Sequence, residues 1–176
     1  MKAKWSTALL ITTSVVALDL WSKAWALRTL SGGQSLEWFG GLVPVNLAFN
    51  TGAAFGISIG SDPRWIFIPI TILAVAFLTG LLWQARSDDW LRIVSSALIL
   101  GGALGNLYDR ARWEHGVVDF IGPIDLGFML WPIFNVADMA ITTGAILLAI
   151  SFWTEEIDEP ERVSSGSEEK ASNAAG

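Results

Sequence analysis

The chain contains no cysteine and a single histidine, His115. Without cysteine there is no disulfide, no thiolate zinc site and no thiol nucleophile. One histidine argues against a histidine-built metal centre and against a Ser/His triad. Charge is scarce too: 16% of the 176 residues are charged and 52% are hydrophobic, whereas soluble domains carry roughly 25% charge. A soluble fold of this length would have too little polar surface to cover so much apolar side chain. The formal charge of −6 is unevenly placed, because the stretch after Trp153 holds seven acids and two bases while the rest is nearly neutral. Nothing resembles the basic footprint of a nucleic-acid binder.

Long apolar sequence is what the chain has in abundance. A spanning helix needs about 20 mostly apolar residues, and four stretches qualify: residues 5–27, 65–85, 92–109 and 131–153. A chain this short cannot bury four such helices within itself. The expected fold is therefore an all-α membrane protein of four transmembrane helices. Most of the ten tryptophans fall at the ends of these stretches. Trp65 and Trp83, and Trp131 and Trp153, would lie roughly 27 and 33 Å apart along a helix, which suits indole rings at two membrane interfaces. Pro132 fits the first turn of the fourth helix, and Pro69 is expected to bend the second.

The connection 28–64 is rich in glycine, with β-branched stretches such as Leu42-Val43-Pro44-Val45. It reads as a small extracytoplasmic β element on the membrane. Residues 111–130, with Gly116, Gly122, Pro123 and Gly127, read as a membrane-surface loop. Residues 154–176 read as an acidic, disordered tail following a four-helix membrane domain of residues 1–153. The start of the chain, with Ala24-Trp25-Ala26, imitates a cleavable leader, but Asp19, Trp21, Lys23 and Trp25 are poor surroundings for cleavage. Lysines and arginines fall on both sides of the spans, so the positive-inside count does not fix orientation. The polar tail favours both termini inside.

Ionisable and amide groups inside a membrane point to function. Asp19 and Lys23 are four apart and share a helix face, as an ion pair would. Asn106, Asp109 and Arg110 share one face of the third span, and Asn135 and Asp138 are three apart in the fourth. With the helix starting at Trp131, Asp138 would lie roughly 10 Å below the surface. Asp119, flanked by Val117, Val118 and Phe120, is the loop acid best placed to meet it. Two adjacent carboxylates titrate as a unit and can activate water against a polarised carbonyl. Spacing alone leaves other roles open: an ion site in a small coupled transporter, a structural hydrogen bond between helices, or an interfacial anchor at Asp109-Arg110.

Five blocks occur in order: Asp19-Leu20-Trp21-Ser22-Lys23, Asn46 to Phe55, Gly101 to Arg110, Gly116 to Phe120, and Trp131 to Asp138. Together they resemble the bacterial lipoprotein signal peptidases, also called signal peptidase II, over nearly all of residues 5–153. The resemblance implies an intramembrane aspartic endopeptidase with Asp119 and Asp138 as the catalytic pair. It implies supporting roles for Asn50, Asn106, Arg110 and Asn135, with Asp19 and Lys23 ordering the outer end of the first helix. Its implied substrates are diacylglyceryl prolipoproteins, cut just before the lipidated cysteine, with no metal or cofactor and with membrane lipid as surroundings. It also implies a monomer in the bacterial inner membrane, both termini cytoplasmic and the site near the extracytoplasmic face. Gly52-Ala53-Ala54 reads as a low-bulk loop near the site, the glycines of 101–105 as packing residues, and His115 as a solvated loop residue. The acidic tail has no counterpart in the family pattern.

Overall fold

A computed structural model of the chain describes residues 2–52 and 64–154. Four long helices dominate: α1 (Lys2–Leu30), α2 (Arg64–Gln84), α3 (Trp90–Arg112) and α4 (Val136–Thr154). Each is long and apolar enough to cross a membrane. Between α1 and α2 lie β1 (Leu36–Trp38), a 3-10 turn at Phe39–Gly41, and β2 (Val43–Asn50). Between α3 and α4 lie β3 (Val117–Ile121), β4 (Ile124–Asp125) and β5 (Leu130–Trp131).

The second connection, expected as a loop, thus contains three short strands. Its Val117-Val118-Asp119-Phe120-Ile121 run is β-branched and aromatic, which suits a pleated surface, and it completes the sheet begun by the first connection. Strand order is β1-β2-β3, all antiparallel. Ala48 pairs with Asp119 and Asn50 with Val117, so two segments far apart in sequence share one register. The β4–β5 hairpin pairs Ile124 with Trp131.

The fourth helix begins at Val136, not near Trp131 as hydropathy suggests. Leu126 to Phe134 is apolar enough to extend a helical reading, but Leu130 and Trp131 are taken by the hairpin. Pro132 then lies before the helix, and Asn135 is its cap rather than a helical residue. The Trp131–Trp153 pair therefore does not measure one helix, and Thr154 closes α4 instead of opening the tail. Residues 155–176, and with them the expected disordered tail, lie outside the described residues, as do Ala53 and Ala54. In the second helix, α2 continues through Pro69.

Helix α3 is the hub, packing on both α1 and α2. Glycines let it approach its neighbours. A Cβ on Gly101 would come within 2.7 Å of Val15 on α1, and one on Gly102 would strike the Ala137 carbonyl on α4. Gly144 of α4 lies as tightly against Ser95 and Ile99. One apolar cluster (Ala8, Leu78, Leu82, Ile93, Ala97, Leu100) joins α1, α2 and α3 at one end of the bundle. At the other, Ala26, Leu30, Val45 and Phe120 seat the sheet on the end of α1. There Trp25 stacks on Trp38 and meets Phe120 edge to face.

Candidate active site

The start of α4 is set by a reciprocal pair of hydrogen bonds. Asn135 Oδ1 accepts from the Asp138 N–H (2.9 Å), and Asp138 Oδ2 accepts from the Asn135 N–H (3.2 Å). This is a capping-box arrangement, which satisfies N–H groups that a helix N-terminus leaves free. A third comes from another helix, since Asp19 Oδ1 on α1 accepts from Ala137 N–H at 3.0 Å. Asp138 therefore sits in the first turn of α4, nearer the helix end than the sequence alone suggests.

Asp19 is held by Lys23. The Lys23 ammonium lies 2.7 Å from Asp19 Oδ2, 2.9 Å from Asp109 Oδ2 and 2.9 Å from Asn106 Oδ1. All four side chains are buried, Asp19 fully. An ammonium has three donors and no acceptor, so each donor is used. Lys23 also fixes the Asn106 amide, whose oxygen must face the cation. Its nitrogen is thereby turned to Asp138, donating to Oδ1 at 2.8 Å.

Asp119 lies on β3, next to Val118, whose N–H donates to Asp109 Oδ2 at 3.1 Å. The Lys23–Asp109 pair thus anchors the strand that carries Asp119, just as the Lys23–Asp19 pair anchors the helix that carries Asp138. Asn135 joins the two: its Nδ2 donates to Asp119 Oδ1 at 2.6 Å and lies 3.2 Å from Asn106 Oδ1. The Asn50 side chain also hydrogen-bonds Asp119, while Asn50 Oδ1 accepts from Gly52 N–H at 2.9 Å. Burial, and then the charge of Asp138, push the Asp119 carboxyl up to about 6, against the opposing hydrogen bonds of Asn50 and Asn135 and the charge of Lys23. A proton is easier to keep there than on an ordinary aspartate.

Arg110 lies in the field of Asp138, Asp119 and Asp109, with its guanidinium 5.2 Å from the Phe67 ring of α2. Phe67 also closes over Gly52, where a Cβ would strike its ring. Beside Asp138 opens a cavity of about 490 Å³, walled by Met129, Trp131, Ile133, Phe134 and Met139, and by Thr142 further along α4.

All the residues singled out from sequence, Asp19, Lys23, Asn50, Asn106, Arg110, Asp119, Asn135 and Asp138, gather at one end of the bundle. His115 is exposed, its ring between Phe49 and Trp113. Asp109, expected only to share a face with Asn106 and Arg110 or to anchor the interface, is the second acidic partner of Lys23. One contributor was not singled out: Phe67 had no signal, being one apolar residue in an apolar helix.

The signal peptidase II family model matches residues 11–154. The lipoprotein signal peptidase of Pseudomonas aeruginosa (strain UCBPP-PA14) is 43% identical over 145 residues, covering 81% of this chain and 85% of that protein. That of Oleidesulfovibrio alaskensis is 36% identical over 159 residues, covering 87% and 98%. Two solved structures described as bacterial membrane enzymes superpose with TM-scores of 0.73 and 0.74. They are 31% and 32% identical, covering 86% and 84% of this chain and 90% and 92% of theirs. With four spans, a matching fold and a family match across both connections and all four helices, the chain belongs to the signal peptidase II family of bacterial membrane peptidases.

Proposed function

We propose that Asp119 and Asp138 are the catalytic pair with which this signal peptidase removes signal peptides from prolipoproteins. The observation carrying this reading is the double amide bridge between them, Asn135 on Asp119 and Asn106 on Asp138. Burial and the charge of Asp138 raise the Asp119 carboxyl to about 6 against its amide hydrogen bonds, so the two carboxylates titrate as a coupled pair and Asp119 is suited to carry their shared proton. One carboxylate takes a proton from water as the water oxygen attacks the scissile carbonyl carbon. The other gives its proton to the carbonyl oxygen, producing a tetrahedral diol. Collapse of that intermediate breaks the C–N bond, and the amine leaves with a proton returned through the pair. In this reading Asn50 and Arg110, beside the carboxylates, hydrogen-bond the substrate backbone.

The cut falls just before a cysteine carrying diacylglycerol. An acyl-anchored cysteine stays at the membrane surface, which is where the first turn of α4 and the sheet meet. The apolar cavity beside Asp138 supplies surface for the signal helix or an acyl chain. In this reading the chain acts as a monomer. Both termini face the cytoplasm, and the carboxylate end of the bundle faces out. The ion-coupled transporter reading is not favoured, since the family match is to a peptidase.

Cleavage of a matched pair of prolipoproteins, with and without the diacylglyceryl group, tests the substrate assignment. The lipidated form should be cut and the unmodified form should react on the order of 10²-fold more slowly, because remote binding energy is lost. Equal rates would show that the lipid is not recognised.

A further inference from the structure

The end of the bundle remote from the carboxylates holds a second group of charged and aromatic side chains that peptide hydrolysis does not use. Lys4 lies roughly 22 Å along α1 from Asp19. It is 6% exposed, which for a lysine requires partners. Its Nζ donates to the Trp83 carbonyl at 3.1 Å and the Ala85 carbonyl at 2.8 Å, at the end of α2. Two of its three donors are thereby used and its position is fixed. The same ammonium lies 5.3 Å from the Trp5 ring centroid, and Trp5 meets Trp83 edge to face at 5.8 Å. Ser6 donates to the Lys2 carbonyl at 3.0 Å and ties down the first turn of α1.

These groups line one cavity of about 600 Å³, formed by Lys2, Lys4, Trp5, Ser6 and Trp83. Among the described residues, its lining holds two cations and no carboxylate. Its tryptophans sit at the ends of two spans, the depth at which indole rings meet lipid headgroups. Basic pockets between spanning helices are suited to acidic lipid headgroups.

We propose that this cavity binds the phosphate of an anionic phospholipid. Lys2 and the remaining donor of Lys4 contact the phosphate, and the Trp5 and Trp83 rings flank the glycerol and the first methylenes. A zwitterionic lipid offers the same phosphate but brings a quaternary ammonium toward two lysines. The site therefore selects for net negative charge. Bound lipid bridges the start of α1 and the end of α2, at the face opposite the carboxylates.

Native mass spectrometry of the full chain, given equimolar phosphatidylglycerol and phosphatidylcholine, tests this. One phosphatidylglycerol should be retained in preference, by about fivefold or more, and Lys2→Gln should remove most of that preference. Lys2→Gln touches neither the α2 cap nor the carboxylates, so its thermal unfolding and prolipoprotein cleavage should match those of the parent chain. Trp5→Leu should weaken retention of phosphatidylglycerol without needing Lys4 to be altered. Equal retention of the two lipids, or an unchanged preference in Lys2→Gln, would overturn the proposal. So would displacement of the lipid by millimolar inorganic phosphate, which would mark a simple anion site.

Discussion

Lys23 offers three N–H donors to three buried acceptors, and two of those acceptors hold the segments that carry Asp138 and Asp119. Its role is to position groups that themselves do chemistry. Lys23→Met keeps the length of the side chain but leaves Asp19 and Asp109 buried without a counter-ion. Removing one partner of a buried ion pair typically costs about 3–5 kcal/mol, so a clear drop in unfolding temperature in detergent is expected. An unchanged midpoint would show that the two acids have other compensation. The Asp19–Lys23 pair was legible from spacing alone, because i and i+4 share a helix face. The link from Lys23 to Asp109 was not, because it depends on how α1 and α3 settle against one another. That register comes from tertiary packing at Gly101 and Gly105, where a Cβ on Gly105 would lie 2.5 Å from Asp19 Oδ2.

Among the elements, the sheet decides where Asp119 stands. Strand β3 pairs with β2 through Asn50↔Val117 and Ala48↔Asp119, and Gly116 is the hinge into that pairing. Its φ is +89°, and a Cβ there would strike the Asn50 carbonyl. Gly116→Ala therefore adds left-handed strain and a backbone clash, costing about 1–3 kcal/mol. Cleavage should fall more than stability alone explains, since Asn50 and Asp119 shift together; wild-type turnover would show that the register tolerates the change. Apolar length read the existence of all four helices correctly but misplaced the start of α4. Leu126 to Phe134 has the hydropathy of a span and the structure of a hairpin and linker. The usable signal was Asn135-x-x-Asp138, a capping pair that marks a helix start more directly than hydropathy does. Similarly, glycines made 111–130 look like loop, although Val117 to Ile121 has strand composition.

For the whole molecule, the four helices separate two chemistries at opposite ends. Asp19, Asp109, Asp119 and Asp138 gather with their amides and Arg110 where the sheet caps the bundle. Lys2 and Lys4 lie at the other end with the α2–α3 turn, whose Asp88 and Asp89 pair with Arg86 and Arg92. Because the chain has no cysteine, a single introduced thiol reports its own side of the membrane. Glu114→Cys, in the turn before β3, should react in intact cells with a membrane-impermeant maleimide, whereas Ser87→Cys should react only after the membrane is opened. The reverse pattern would invert the proposed orientation. Charge counts could not settle this from sequence, because arginine and lysine occur at both ends.

The most direct measurement is turnover of a lipidated prolipoprotein by the purified chain and by Asp119→Asn and Asp138→Asn, each shown to be folded by its unfolding temperature. Each substitution keeps the size of the side chain but removes the proton-transferring carboxylate. Both should lower kcat on the order of 10³-fold with little change in folding. Near-normal turnover by either folded variant would exclude that aspartate from the catalytic pair.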